Sequence, residues 1–100
     1  VYKQIARRIA VKIADMAHAY DISLQGHCCG SPVTLAATLH LETVIPNFII
    51  HEYVGTTGTP ENMGLVTPDI KVEKGRLSVP EGPGLGLRLN QAELAKRRVG

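Results

Sequence analysis

Along the first twenty positions, Ile5, Ile9, Ile13, Met16 and Tyr20 recur at spacings of four, four, three and four. That period places them on one face of a helix over residues 4–20. Arg7, Arg8, Lys12 and Asp15 fall largely elsewhere, so the helix packs on one side only, and Asp21 breaks it. Ile22 to Gly26 has the length of a strand and ends in His27-Cys28-Cys29-Gly30. Ser31-Pro32 fits a helix N-cap followed by proline at the first helical position. Residues 33–44 form that helix, with Glu42 as its only formal charge, and Ile45-Pro46 ends it. The continuous apolar run in Asn47 to Glu52 suits a strand covered on both faces. Helix, strand, helix, strand is an α/β unit with parallel strands and a crossover helix. Both strands finish in ionisable residues, His27 on one and His51-Glu52 on the other, at the end where α/β folds keep their chemistry.

The pattern changes after Tyr53. Residues 55–64 read as a loop with three glycines and a proline. Ile70 to Val72 and Leu77 to Val79 alternate around Glu73-Lys74-Gly75-Arg76, which predicts a β-hairpin. Pro80 to Gly86 reads as coil. Asn90 with Glu93 resembles a capping box opening a helix over 91–98. Two parallel strands make no stable sheet alone. The chain is therefore expected to supply two units of a larger structure plus a tail, and the lack of a Met at position 1 agrees.

Composition narrows the class. With 44% hydrophobic and 20% charged residues in 100, the chain is globular, but far short of the ~250 residues of a complete eightfold α/β barrel. No apolar run approaches the ~20 residues of a membrane span, and the first residues lack a signal peptide's apolar region. The only cysteines, Cys28 and Cys29, are neighbours and make no disulfide framework, which suits a reducing, cytoplasmic setting. They lack zinc-ligand spacing and read as two small buried groups.

The net charge of +2 hides a division: +3 over residues 1–20, −5 over 21–70 and +4 over 71–100. Residues 21–70 contain no Lys or Arg and three of the four histidines. A nucleic-acid groove needs basic residues there, so neither nucleic acid nor membrane is an expected partner. An apolar, acidic, His-containing centre suits proton transfer or a cation; a buried stretch with few exposed charges reads the same way.

The run from His27 through Cys28-Cys29-Gly30-Ser31-Pro32-Val33-Thr34-Leu35-Ala36-Ala37-Thr38-Leu39-His40-Leu41, with Ile45-Pro46-Asn47-Phe48 and Glu52, resembles the C-terminal part of the enolase superfamily. The likeness is to the mandelate racemase and muconate lactonizing enzyme branch, with its sugar-acid dehydratases of the galactonate and mannonate type. Residues 9–21 are similar to the family's helix before barrel strand seven. The segment from Asp69 through Gly75-Arg76-Leu77 to Val79-Pro80-Glu81-Gly82-Pro83-Gly84-Leu85-Gly86 resembles its closing segment.

The resemblance implies a modified (β/α)8 barrel with an α+β capping domain. Residues 1–68 would hold the last two strands and helices, and residues 69–100 the tail returning to the cap. It implies a Mg²⁺-dependent, homo-oligomeric lyase that removes the proton α to a sugar acid's carboxylate through an enediolate. His27 matches the general acid/base ending strand seven. Glu52 matches the glutamate ending strand eight, which hydrogen-bonds the carboxylate or enediolate. The metal ligands match nothing in this chain and are expected outside it, as is the partner of His27. Racemase, epimerase or cycloisomerase chemistry in the same superfamily is the alternative, as is a non-catalytic truncated paralogue.

The chemistry has its own logic. An α-proton is weakly acidic, so its removal needs a positioned base and strong stabilisation of the new charge. Histidine titrates near neutrality and serves both directions. Tyr53 and His51, with the loop over 55–64, are the candidates for substrate contact, although alternation points His51 away from Glu52 unless the strand end bends. His40 lies on the apolar helix face and reads as a packing histidine.

Overall fold

Helix α1 (Tyr2–His18) realises the first periodic segment and ends two residues early, where Asp21 takes a positive φ of 56°. A computed structural model describes residues 2–54, 59, 61–62 and 64–99, with side chains from Arg8 onward. Strand β1 (Leu24–Cys28) leads through Gly30 into helix α2 (Pro32–Glu42), and strand β2 (Phe48–Tyr53) follows. The two strands pair in parallel, as their crossover helix requires. Ser31 caps α2, its Oγ accepting from the Thr34 amide at 3.4 Å, with Pro32 at the helix start.

The α2 helix lies against one face of this pair. Leu35, Ala36 and Leu39 bury there with Cys28, and Ile70 from the tail completes the core. Tyr53, Leu77, Val79, Leu85 and Leu87 pack around it. The tail is thus held to α2 by apolar contact. His40 adds a hydrogen-bond contact of 3.3 Å between its Nε2 and the Leu85 carbonyl, the satisfied packing role expected of it.

Four short strands organise the tail. β3 (Val66–Thr67) pairs antiparallel with β6 (Arg88–Leu89), and β4 (Val72–Glu73) with β5 (Arg76–Leu77). The β4–β5 hairpin turns at Lys74 and Gly75, both at positive φ (49° and 74°), the geometry a two-residue hairpin loop demands. The segment read as coil over 80–86 leads directly into β6, a pairing that two-residue strands give no pattern to reveal. Helix α3 (Gln91–Lys96) opens at Asn90, whose Oδ1 accepts from the Glu93 amide at 3.3 Å.

The apolar stripe of α1 departs from expectation. Ile9, Ile13, Met16 and Tyr20 are exposed, and among the described side chains of α1 Ala14 is the buried one. Asn47 ties this helix to the sheet: its Nδ2 donates to the Ala14 carbonyl at 3.1 Å and to the Ile22 carbonyl at 2.7 Å. Replacing Asn47 by Ala leaves two carbonyls without their donor. Urea unfolding should show a loss of about 1–3 kcal/mol; an unchanged midpoint would mean that water replaces the amide without cost.

Candidate active site

The sheet face away from α2 carries Gln25 and His27 from β1 and Ile50 and Glu52 from β2, all exposed. On this open face the His27 Nδ1 stands 2.9 Å from Glu52 Oε1. The two side chains are 64% and 45% exposed, so an incoming ligand can reach both. They come from the carboxyl ends of adjacent parallel strands, the position favoured for chemistry in α/β folds.

A register shift makes this pair. Leu24 stands opposite Phe48, but an irregularity follows, so that Gln25 meets Ile50, Gly26 meets His51 and His27 meets Glu52. A regular continuation would have set His27 opposite His51. One extra residue in β2 therefore brings a carboxylate, and not a second imidazole, to the histidine.

The same register sends His51 to the other face. Its Nδ1 lies 2.9 Å from both carboxylate oxygens of Glu42. The two side chains are only 9% and 5% exposed. The expected place of His51 at the substrate is corrected accordingly: it sits under α2, and no bend of the strand end turns it toward His27. Tyr53 is likewise half-buried on the α2 face, opposite Cys28 and against the core. The loop over 55–64 lies largely outside the described residues, so its proposed contact with a substrate does too.

Glu42 was visible in the sequence only as the single charge of an apolar helix. Its partner is nine residues on, in another element. What points to it is Gly26: a Cβ there would collide with Glu42 Oε1, so the glycine is the space the carboxylate occupies.

The cysteines divide. Cys28 is buried and free, and its thiol is pushed up chiefly by desolvation. Cys29 is exposed, contrary to the expectation that both are buried. Among the described residues no group of three or more His, Cys, Asp or Glu side chains gathers to hold a metal ion, and no helix is long and apolar enough to cross a membrane.

A parallel strand pair with its crossover helix on one face, and a histidine and a carboxylate 2.9 Å apart on the other, defines an α/β segment with two ionisable side chains facing each other at its strand ends. The chain belongs to the enolase C-terminal domain-like family, whose model its residues 8–93 match. It is 34% identical over 93 residues to a D-galactonate dehydratase from Pectobacterium atrosepticum, covering 86% of this chain and 24% of that protein. It is 38% identical over 87 residues to a D-mannonate dehydratase from Novosphingobium aromaticivorans, covering 85% and 21%. Among solved structures, a mandelate racemase/muconate lactonizing enzyme from Jannaschia sp. CCS1 superposes with a TM-score of 0.75 at 37% identity, over 89% of this chain and 22% of that one. A member of the enolase superfamily from Salmonella Typhimurium gives 0.76 at 41%, over 85% and 22%. The chain thus spans about a quarter or less of the proteins it matches.

Proposed function

We propose that this chain is the C-terminal segment of a sugar-acid dehydratase. In this reading β1 and β2 are the last two strands of a modified (β/α)8 barrel, residues 1–68 close that barrel and residues 69–100 return to a capping domain. The observation that carries the reading is the 2.9 Å couple of His27 Nδ1 and Glu52 Oε1 on the open face. The names of the galactonate and mannonate dehydratases it resembles support the substrate class.

His27 takes the proton from the carbon next to the substrate carboxylate, and the electron pair of that C–H bond passes into the carboxylate to give an enediolate. Glu52, in its protonated form, donates a hydrogen bond to the enediolate oxygen, which is where charge develops. As the pair returns toward carbon, the bond to the β-hydroxyl breaks. The hydroxyl leaves as water with the proton that His27 took from the α-carbon, which returns His27 to its starting form, and the enol that remains moves its hydroxyl proton to the β-carbon to give a 2-keto-3-deoxy acid. The exposure of both side chains lets a substrate open the His27–Glu52 contact and insert between them.

A Mg²⁺ ion, implied by the sequence resemblance, finds no fitting donor set here: the described residues offer no such acidic group. Its ligands belong to the remainder of the protein in this reading.

The test is solvent deuterium exchange. The protein carrying this segment, given D-galactonate or D-mannonate in D2O, should incorporate deuterium at the α-carbon or release the keto acid. The 100-residue chain alone should do neither. Turnover by the isolated chain would sink the segment reading. Exchange with configuration scrambling and no water loss would redirect it to the racemase branch.

A further inference from the structure

Directly behind the His27–Glu52 couple lies a second histidine–carboxylate pair, which the reaction does not use. Gly26 precedes His27 in β1, and His51 precedes Glu52 in β2; the two stand opposite each other. Glu42, from the last turn of α2, sits over Gly26 with no room for a Cβ between them. Its two carboxylate oxygens are both 2.9 Å from His51 Nδ1.

We propose that Glu42 and His51 are positioning residues that fix the end of β2, and with it the direction in which Glu52 meets His27. The proposal rests on the dehydratase reading above. Three features carry it. The pair is nearly dry, so its interaction is little screened. His51 Nε2 is buried without a partner, so among the described residues Glu42 supplies the hydrogen-bonding contact of the ring. And the carboxylate touches both strands at once, seated over β1 and bonded to β2, one residue before each member of the couple. Successive side chains leave a strand on opposite faces, so a twist of β2 about its axis that displaces His51 on one face displaces Glu52 the other way on the far face.

An alternative would be that the pair serves only to hold α2 on the sheet. The two roles part in the double variant Glu42→Leu/His51→Leu. Replacing both members of a buried pair by apolar groups leaves no orphaned charge, and folding is commonly retained. A merely structural pair predicts normal turnover in that variant. A positioning pair predicts that kcat for α-proton exchange falls about 10–100-fold, the scale of a misplaced reacting group, with KM within about twofold. His51→Asn keeps an amide donor at the place of Nδ1 and should hold kcat within about threefold of the parent.

The assay uses the full-length protein, with folding checked by circular dichroism and His27→Asn run alongside. A folded double variant with parental kcat overturns the proposal. So does His51→Asn losing as much as the double variant. If the double variant does not fold, His51→Ser takes its place: serine cannot reach Glu42, and the space it leaves admits water to solvate the carboxylate. Equal rates for the Ser and Asn variants then overturn the proposal, and a rate loss confined to Ser upholds it. Persistent exchange in His27→Asn is a different failure, because it removes the dehydratase reading and not only its positioning pair.

Discussion

His27→Asn should slow α-proton exchange in the full-length protein at least a hundredfold, about 10²–10⁴-fold, while leaving its fold intact. The imidazole is 64% exposed and stands against Glu52, so the substitution removes little packing. Asparagine keeps a polar side chain of similar reach and can still hydrogen-bond the carboxylate. What it lacks is a nitrogen able to accept and return a proton near neutral pH. A positioned general base contributes about 10²–10⁴-fold, and the rate should fall by that factor. Because Glu52 and the remaining substrate contacts are untouched, KM should move little, which marks loss of a group acting in the transition state. The measurement is α-deuterium incorporation by NMR, together with binding of the unreactive variant to its acid. Exchange within about tenfold of the parent would show that another group is the base.

Much of this site can be read from the sequence, because its two residues end strands that announce themselves. The apolar run in β2 and the Ser31-Pro32 start of α2 fix the α/β order, and that order brings two strand ends side by side. The sequence does not contain the register. The irregularity after Leu24 decides which of His51 and Glu52 faces His27, and a bulge depends on how the pleats fit, not on the period of the residues. The buried Glu42–His51 pair escaped for a related reason. A lone glutamate in an apolar helix and a lone histidine in a strand each look ordinary, and only the fold shows that each satisfies the other.

The α1 helix presents the reverse case. Its periodic face is apolar, yet the described residues leave that face open to solvent. An amphipathic stripe says that a helix packs; it does not say against what. The exposed Phe48 and Ile50 on β2 repeat the point on the sheet. The proposed barrel gives both surfaces partners outside this chain, in agreement with the small share of each relative that it spans.

Gly26→Ala should be the most damaging small substitution in the sheet, and its sign runs against the general rule. Glycine inside a strand usually weakens it, so alanine would stabilise by about 0.5–1 kcal/mol at an open position. Here the added methyl would collide with Glu42 Oε1 and press on Thr38 Cγ2 at 3.3 Å. The Thr38 methyl belongs to a side chain anchored through its hydroxyl to the Thr34 carbonyl at 3.0 Å, which limits its retreat. The Glu42 carboxylate can move only by leaving His51. Overpacking alone costs about 1–3 kcal/mol, and leaving a buried polar group without its hydrogen-bond partner costs about 1–3 kcal/mol. A loss of about 3 kcal/mol should follow, read as a lowered thermal midpoint of the full-length protein. Adding Glu42→Ala to Gly26→Ala removes the colliding oxygen and should recover the steric part. It cannot recover all of it, because His51 Nδ1 then loses its acceptor in a buried place. A Gly26→Ala midpoint equal to the parent's would mean that α2 slides freely on the strands. The carboxylate would then be no fixed seat behind the couple, and the close approach of Glu42 to β1 would hold neither strand.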